Sequence, residues 1–171
     1  MRLLPSSTPR RLWRDRRGTA AAEMALVTPL LMVLMFGSFE LGNYFLDSHV
    51  VAKAVRDGAR FAGRQSFPDM PCGAASAVEA DIKDIVRKGS TVDSDTTAPP
   101  RLWYWTNPAT ITVTTTCDSS GTYSAAGIYT GVTGGARRVT VSAAVPYDSL
   151  FGIVGFETTI NAVSRSAVMG I

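Results

Sequence analysis

Residues 24–46 read MALVTPLLMVLMFGSFELGNYFL. No charged residue occurs from Met24 to Phe39, and Glu40 is the only one before Asp47. As a helix, this stretch extends about 35 Å, slightly more than the ~30 Å hydrocarbon core of a bilayer. A buried helix in a soluble protein of 171 residues is rarely so long and so apolar. The stretch predicts one transmembrane helix, assigned to residues 19–46.

The charge around it is uneven. Residues 1–17 hold six arginines against one acid, Asp15, a balance of +5, whereas the whole chain is only +3. The basic character belongs to this arm. Beyond it acids outnumber bases, so no nucleic-acid surface is expected. By the positive-inside rule the arm stays cytoplasmic and everything after Leu46 lies outside the inner membrane. A cleavable secretory signal fits poorly: the apolar run exceeds an h-region and no small-x-small site follows it. Arg10-Arg11 and Arg16-Arg17 form twin-arginine pairs, but such pairs arise by chance in so basic an arm.

Past the apolar run the helical pattern continues, giving an extramembrane extension over residues 47–66. Ala54, Gly58 and Ala62 recur every four residues as a stripe of small side chains. Two readings stand: a seam for another subunit, or a face packed on the protein's own sheet. Phe67-Pro68-Asp69-Met70-Pro71 breaks the helix. A second helix is expected over 74–88, with Ala75, Val78, Ile82, Ile85 and Val86 on one face and Gly89 as C-cap. The period then changes to two. Ile111, Val113, Thr115 and Cys117 alternate with threonines; Val139, Val141, Ala143 and Val145 form a second run, and 158–168 a third. Residues 90–100 and 118–135 read as connections. The expected fold is α+β: a long membrane helix extended into a small extracytoplasmic domain, residues 67–171, with a second helix and three or four antiparallel strands.

Cys72 and Cys117 in that compartment predict a disulfide. Its loop would hold 44 residues, worth about 4 kcal/mol by chain entropy. The sequence contains no G-x-S-x-G, P-loop or H-E-x-x-H motif. With one histidine, His49, and two cysteines, no metal site, cofactor or catalytic constellation is expected. His49 belongs at the membrane boundary. Trp103-Tyr104-Trp105 suits core or sheet packing better than docking on lipid headgroups.

The junction Arg16-Arg17-Gly18-Thr19-Ala20-Ala21-Ala22-Glu23-Met24 is the most informative stretch. An unpaired acid deep in a membrane helix costs roughly 3 kcal/mol, so Glu23 needs a reason. If the chain were cut after Gly18, Thr19 would carry a free ammonium four residues from Glu23, on the same helical face. Glu23 could then pair with its own N-terminus or a neighbour's. Otherwise it is a hydrated acid favoured by the helix dipole. Glu40 lies 17 residues further on, roughly 26 Å along the helix. It either meets interfacial water or contacts a partner helix beside Ser38 and Gly42, a small-xxx-small pair. Pro29 removes one backbone donor between the two acids.

On these residues the sequence resembles the TadE-like pseudopilins of tight-adherence (Flp-type) pilus systems. The resemblance rests on Arg16-Arg17-Gly18 through Glu23, on Thr28-Pro29-Leu30-Leu31 through Gly37-Ser38-Phe39-Glu40, and on Ala54-Val55-Arg56-Asp57-Gly58-Ala59-Arg60-Phe61-Ala62. Met24 stands where the family often has an aromatic residue. The resemblance implies a leader, residues 1–18, removed by a membrane aspartyl prepilin peptidase. It also implies a minor pilus or secretion component in the bacterial inner membrane, contacting other pilins, pilus-assembly proteins and the bilayer. Larger relatives carry a von Willebrand-type metal-binding domain, for which the region after Ala62 is too short. The competing expectations are an unprocessed single-pass protein with a periplasmic binding domain, and a membrane-tethered enzyme, which the lone histidine disfavours.

Overall fold

A computed structural model describes residues 17–91, 98–118, 120, 127–152 and 158–170. The basic arm up to Arg16 lies outside these residues, as do parts of both expected connections. Helix α1 spans Arg17–Gly63, α2 spans Glu79–Lys88, and strands β1 (Ile111–Asp118), β2 (Ala136–Pro146) and β3 (Thr159–Ala167) follow. The chain divides into two compact units, Met1–Leu41 and Gly42–Ile171.

In the first unit α1 is helical from Arg17 onward, and Pro29 does not interrupt it. Its apolar side chains face outward: Leu26 is 80 % exposed and Val33 69 %. It is the one helix among the described residues that is long and apolar enough to cross a membrane. A row of leucines and valines so bare is stable against lipid, not water. The hydroxyls in the row are internally satisfied. Thr28 Oγ1 donates to Met24 O at 2.6 Å and Ser38 Oγ to Leu34 O at 2.7 Å. This removes the cost of an unbonded donor in hydrocarbon.

In the second unit a three-stranded antiparallel meander, β1-β2-β3, carries the core. The register sets Val113 opposite Val141, Cys117 opposite Arg137 and Val145 opposite Ile160. Period two then puts Val139, Val141, Ala143 and Val145 on one buried face. They join a single cluster with Ile82 and Val86 of α2 and with Val51, Ala54, Val55, Ala59 and Ala62 of α1. The α1 positions recur at three- and four-residue steps, the stripe of an amphipathic helix.

Three expectations need adjusting. The extension of α1 stops at Gly63, not at 66. Arg64 and Gln65 bond back to Phe61 O and Ala62 O as a tight turn, and Met169 N takes Gly63 O at 2.8 Å. Helix α2 begins at Glu79, not at Ala74. Ala77 N donates to Asp69 O, and Ser76 Oγ bonds Asp69 O at 2.8 Å. The 74–78 backbone is thus tied to the preceding turn instead of a helical ladder. Finally, the WYW run is split. Trp105 N bonds Leu102 O at 2.9 Å, closing a turn that sends neighbouring side chains apart. Trp105 is 1 % exposed and Trp103 75 %.

The C-cap of α2 is as expected. Gly89 has φ 87°, the left-handed conformation, and its N–H bonds Asp84 O and Ile85 O.

Gly58 lies where α2 packs closely on α1. A Cβ there would lie 2.3 Å from Val86 Cγ2, a fully buried branched side chain. Overpacking of this kind costs about 1–3 kcal/mol, against a helix-propensity gain of up to ~1 kcal/mol. Gly58→Ala is therefore expected to destabilise the domain, read as a lower denaturant midpoint for the full chain in detergent.

Candidate functional site

The residues singled out for processing and assembly lie at the start of α1. Arg17 and Gly18 open the helix, Thr19 follows, and Gly18, Thr19 and Glu23 are exposed. Thr19 and Glu23 stand one turn apart on one face. Arg17 and Gly18 are the first residues of α1 among those described. Gly18 also has the weakest helix propensity of any residue but proline. Pro29 lies inside the helix, Ser38 is exposed, and Glu40 is half-buried.

Gly42 belongs to the second unit and is exposed, with no atom near its Cα hydrogens that a Cβ would meet. Ala54, Gly58 and Ala62 are not exposed. Ala54 and Ala62 are fully buried, and Gly58 abuts Ile82 and Val86 of α2. Of the two readings of this stripe, the packing is the intramolecular one: the protein's own second helix and core fill it. Its basic neighbours Arg56, Arg60 and Arg64 are exposed, as is His49.

Cys72 and Cys117 are joined by a disulfide, with Cα atoms 5.7 Å apart. The bond ties the segment before α2 to the end of β1.

Two arginines that sequence reasoning passed over hold the same connections. The Arg101 guanidinium pairs with Asp57 of α1 at 2.9 Å, while its backbone N–H bonds Arg87 O at the end of α2. Arg137, opposite Cys117 in the sheet, donates to Phe67 O, Met70 O and Thr133 O. Its guanidinium also sits 5.3 Å from the Phe67 ring centre. Nothing in their sequence context marks them, because their partners are distant in the chain.

Near the first turn of the second unit, Tyr104 Oη donates to Asp47 at 2.8 Å and Asn43 Nδ2 donates to Tyr147 Oη at 3.1 Å. Burial, and then the Asp47 carboxylate, hold the Tyr104 phenol above its ordinary pKa. Asn43, Asp47 and Tyr104 line a cleft with Trp103, Asp148 and Leu150. Among the described residues no group of three or more His, Cys, Asp or Glu side chains is arranged to hold a metal ion.

One stretch of the chain is similar to a known family. Residues 18–60 match the family model described as TadE-like protein. The match begins at Gly18, runs through the apolar span, and ends within the buried stripe of the outer domain. It covers about a quarter of the 171-residue chain. Comparison with curated proteins and with solved structures produced no match. The TadE-like segment therefore joins two physical tasks on one helix. Its first part is an apolar span, and its last part supplies Val51, Ala54, Val55 and Ala59 to a core.

Proposed function

We propose that this chain is a minor pseudopilin or assembly component of a tight-adherence pilus system, processed between Gly18 and Thr19 by a prepilin peptidase. The observation that carries this reading is the placement of Gly18, Thr19 and Glu23 on the opening turns of an exposed apolar helix, inside the TadE-like match. A peptidase working at the bilayer surface must take extended backbone into its cleft, and a glycine in a first helical turn yields it at little cost. After the cut, Thr19 carries an ammonium one turn from Glu23. The pair, within one chain or between neighbours, removes the penalty of a bare carboxylate entering lipid. The helix then assembles laterally with other pilins or pilus-assembly membrane proteins, its N-terminus toward the cytoplasm and the α+β domain in the periplasm. The protein acts by contact and not by catalysis.

N-terminal sequencing of membrane-extracted protein from cells with an active prepilin peptidase tests the reading. The mature chain is expected to begin at Thr19, and Gly18→Trp is expected to abolish that product. Glu23→Ala should insert and be cut normally yet lose most surface pili when it is the only copy present. A chain that keeps residues 1–18 in such cells would sink the proposal and leave an unprocessed single-pass protein with a periplasmic binding domain.

A further inference from the structure

Among the exposed large apolar side chains of the second unit, Trp103 and Leu150 line one cleft and the Phe45 ring meets Tyr44 edge-on. Phe45, Leu46, Trp103, Leu150 and Phe151 are exposed by 54, 67, 75, 58 and 37 %. Half-buried tyrosines set beneath them act as props. The rings of Tyr44 and Tyr147 meet edge-on at 5.3 Å, and those of Trp103 and Tyr104 at 5.7 Å. Asn43 and Asp47 fix Tyr147 and Tyr104 by the hydrogen bonds already described. The result is an aromatic collar with polar tips around residues 43–47. Asn43 and Asp47 flank Leu46, the end of the span assigned from the sequence, and chain continuity alone keeps them at that boundary.

We propose that this collar is a bilayer-docking surface, with Trp103 and Leu150 entering the boundary between headgroups and acyl chains. The inference rests on reading α1 as a membrane span. Indole and phenol rings favour that depth because one end is apolar and the other can stay hydrated. Tyr104, fixed by its hydrogen bond to Asp47, meets the Trp103 ring edge-on and so limits the ordering lost on contact. Asp47 and Asp148 line the same cleft. Two carboxylates beside the collar disfavour a strongly anionic surface, so the occupant is a zwitterionic lipid face. Docking there would restrain the domain's tilt and set the height at which its sheet meets other subunits.

The test uses the full chain in phosphatidylcholine vesicles, with or without brominated acyl chains, the bromine placed near the headgroup to report Trp103 and Val163→Trp and near the chain end to report Leu34→Trp. Trp13→Phe with Trp105→Phe leaves Trp103 as the sole indole. Two further reporters, Leu34→Trp and Val163→Trp, are made in a background whose three tryptophans are all phenylalanine. Val163 is exposed on β3 and serves as the comparison away from the collar. Trp103 emission is expected to fall at least twofold in brominated vesicles, and Val163→Trp emission to stay unchanged. Trp103 quenched no more than Val163→Trp, with Leu34→Trp strongly quenched, overturns the docking while leaving the span intact. Loss of quenching at Leu34→Trp as well removes the span reading and the proposal with it. An unquenched Trp103 that becomes shielded from iodide only as protein concentration rises assigns the collar to a second copy, and also overturns it.

Discussion

Trp105→Ala is expected to lower the stability of the outer domain by about 3–5 kcal/mol, the range for deleting a fully buried large aromatic side chain. Trp105 is 1 % exposed and lies in the cluster that unites α1, α2 and the sheet. Its indole Nε1–H donates to Thr110 Oγ1 at 2.8 Å, so the truncation removes a hydrogen bond as well as the ring. Domains of this size are stable by roughly 5–15 kcal/mol in total. The variant should therefore unfold far earlier in denaturant, followed by circular dichroism on the full chain in detergent. Trp105→Phe keeps most of the ring volume and should lose much less. If Trp105→Ala moves the midpoint no more than Trp103→Ala, the core described for this domain is wrong.

Breaking the Cys72–Cys117 bond should have the second-largest effect, about 2–5 kcal/mol. The bond closes a loop with a sequence separation of 45, and much of its contribution is the entropy withheld from the unfolded chain. It is not the sole restraint there. Arg137 holds the carbonyls of Phe67 and Met70, just before Cys72. The reduced protein is therefore expected to keep its sheet and to melt earlier, without collapsing at ambient temperature. Thermal unfolding with and without reductant measures the difference. A Cys72→Ala, Cys117→Ala variant should match the reduced protein. An unchanged melting temperature in both would show that the native bond constrains nothing that matters to stability.

The strands were legible because a half-buried sheet imposes alternation on its sequence. Val139, Val141, Ala143 and Val145 could be assigned to one face before any coordinates. The second helix was legible in type but not in its start, because Ser76 and Asp69 divert the 74–78 backbone through contacts that composition does not encode. At the candidate site, the sequence identified Gly18, Thr19 and Glu23 by their order around the start of an apolar run. That signal is local, and the family match at 18–60 begins at the same glycine. The aromatic collar was not legible. Tyr44, Trp103, Tyr147 and Leu150 lie on three separated segments, and only folding brings them together.

What the sequence determined by itself was whatever depends on near neighbours or on solvent alone. An uncharged run from Met24 to Phe39 is driven out of water whatever the rest of the chain does, and the chain's two cysteines are the only pair that could form a bridge within it. The tertiary structure decided what each surface faces. Ala54, Gly58 and Ala62 form a close-approach stripe in either reading, and side-chain size says nothing about which backbone approaches. The arrival of Ile82 and Val86 settled that in favour of the protein's own α2. Trp103 and Trp105 have the same chemistry and stand two residues apart, yet one turn hydrogen bond sends Trp105 into the core and leaves Trp103 outside. Local patterning sets which residues can be buried; the packing of distant segments selects which of them are.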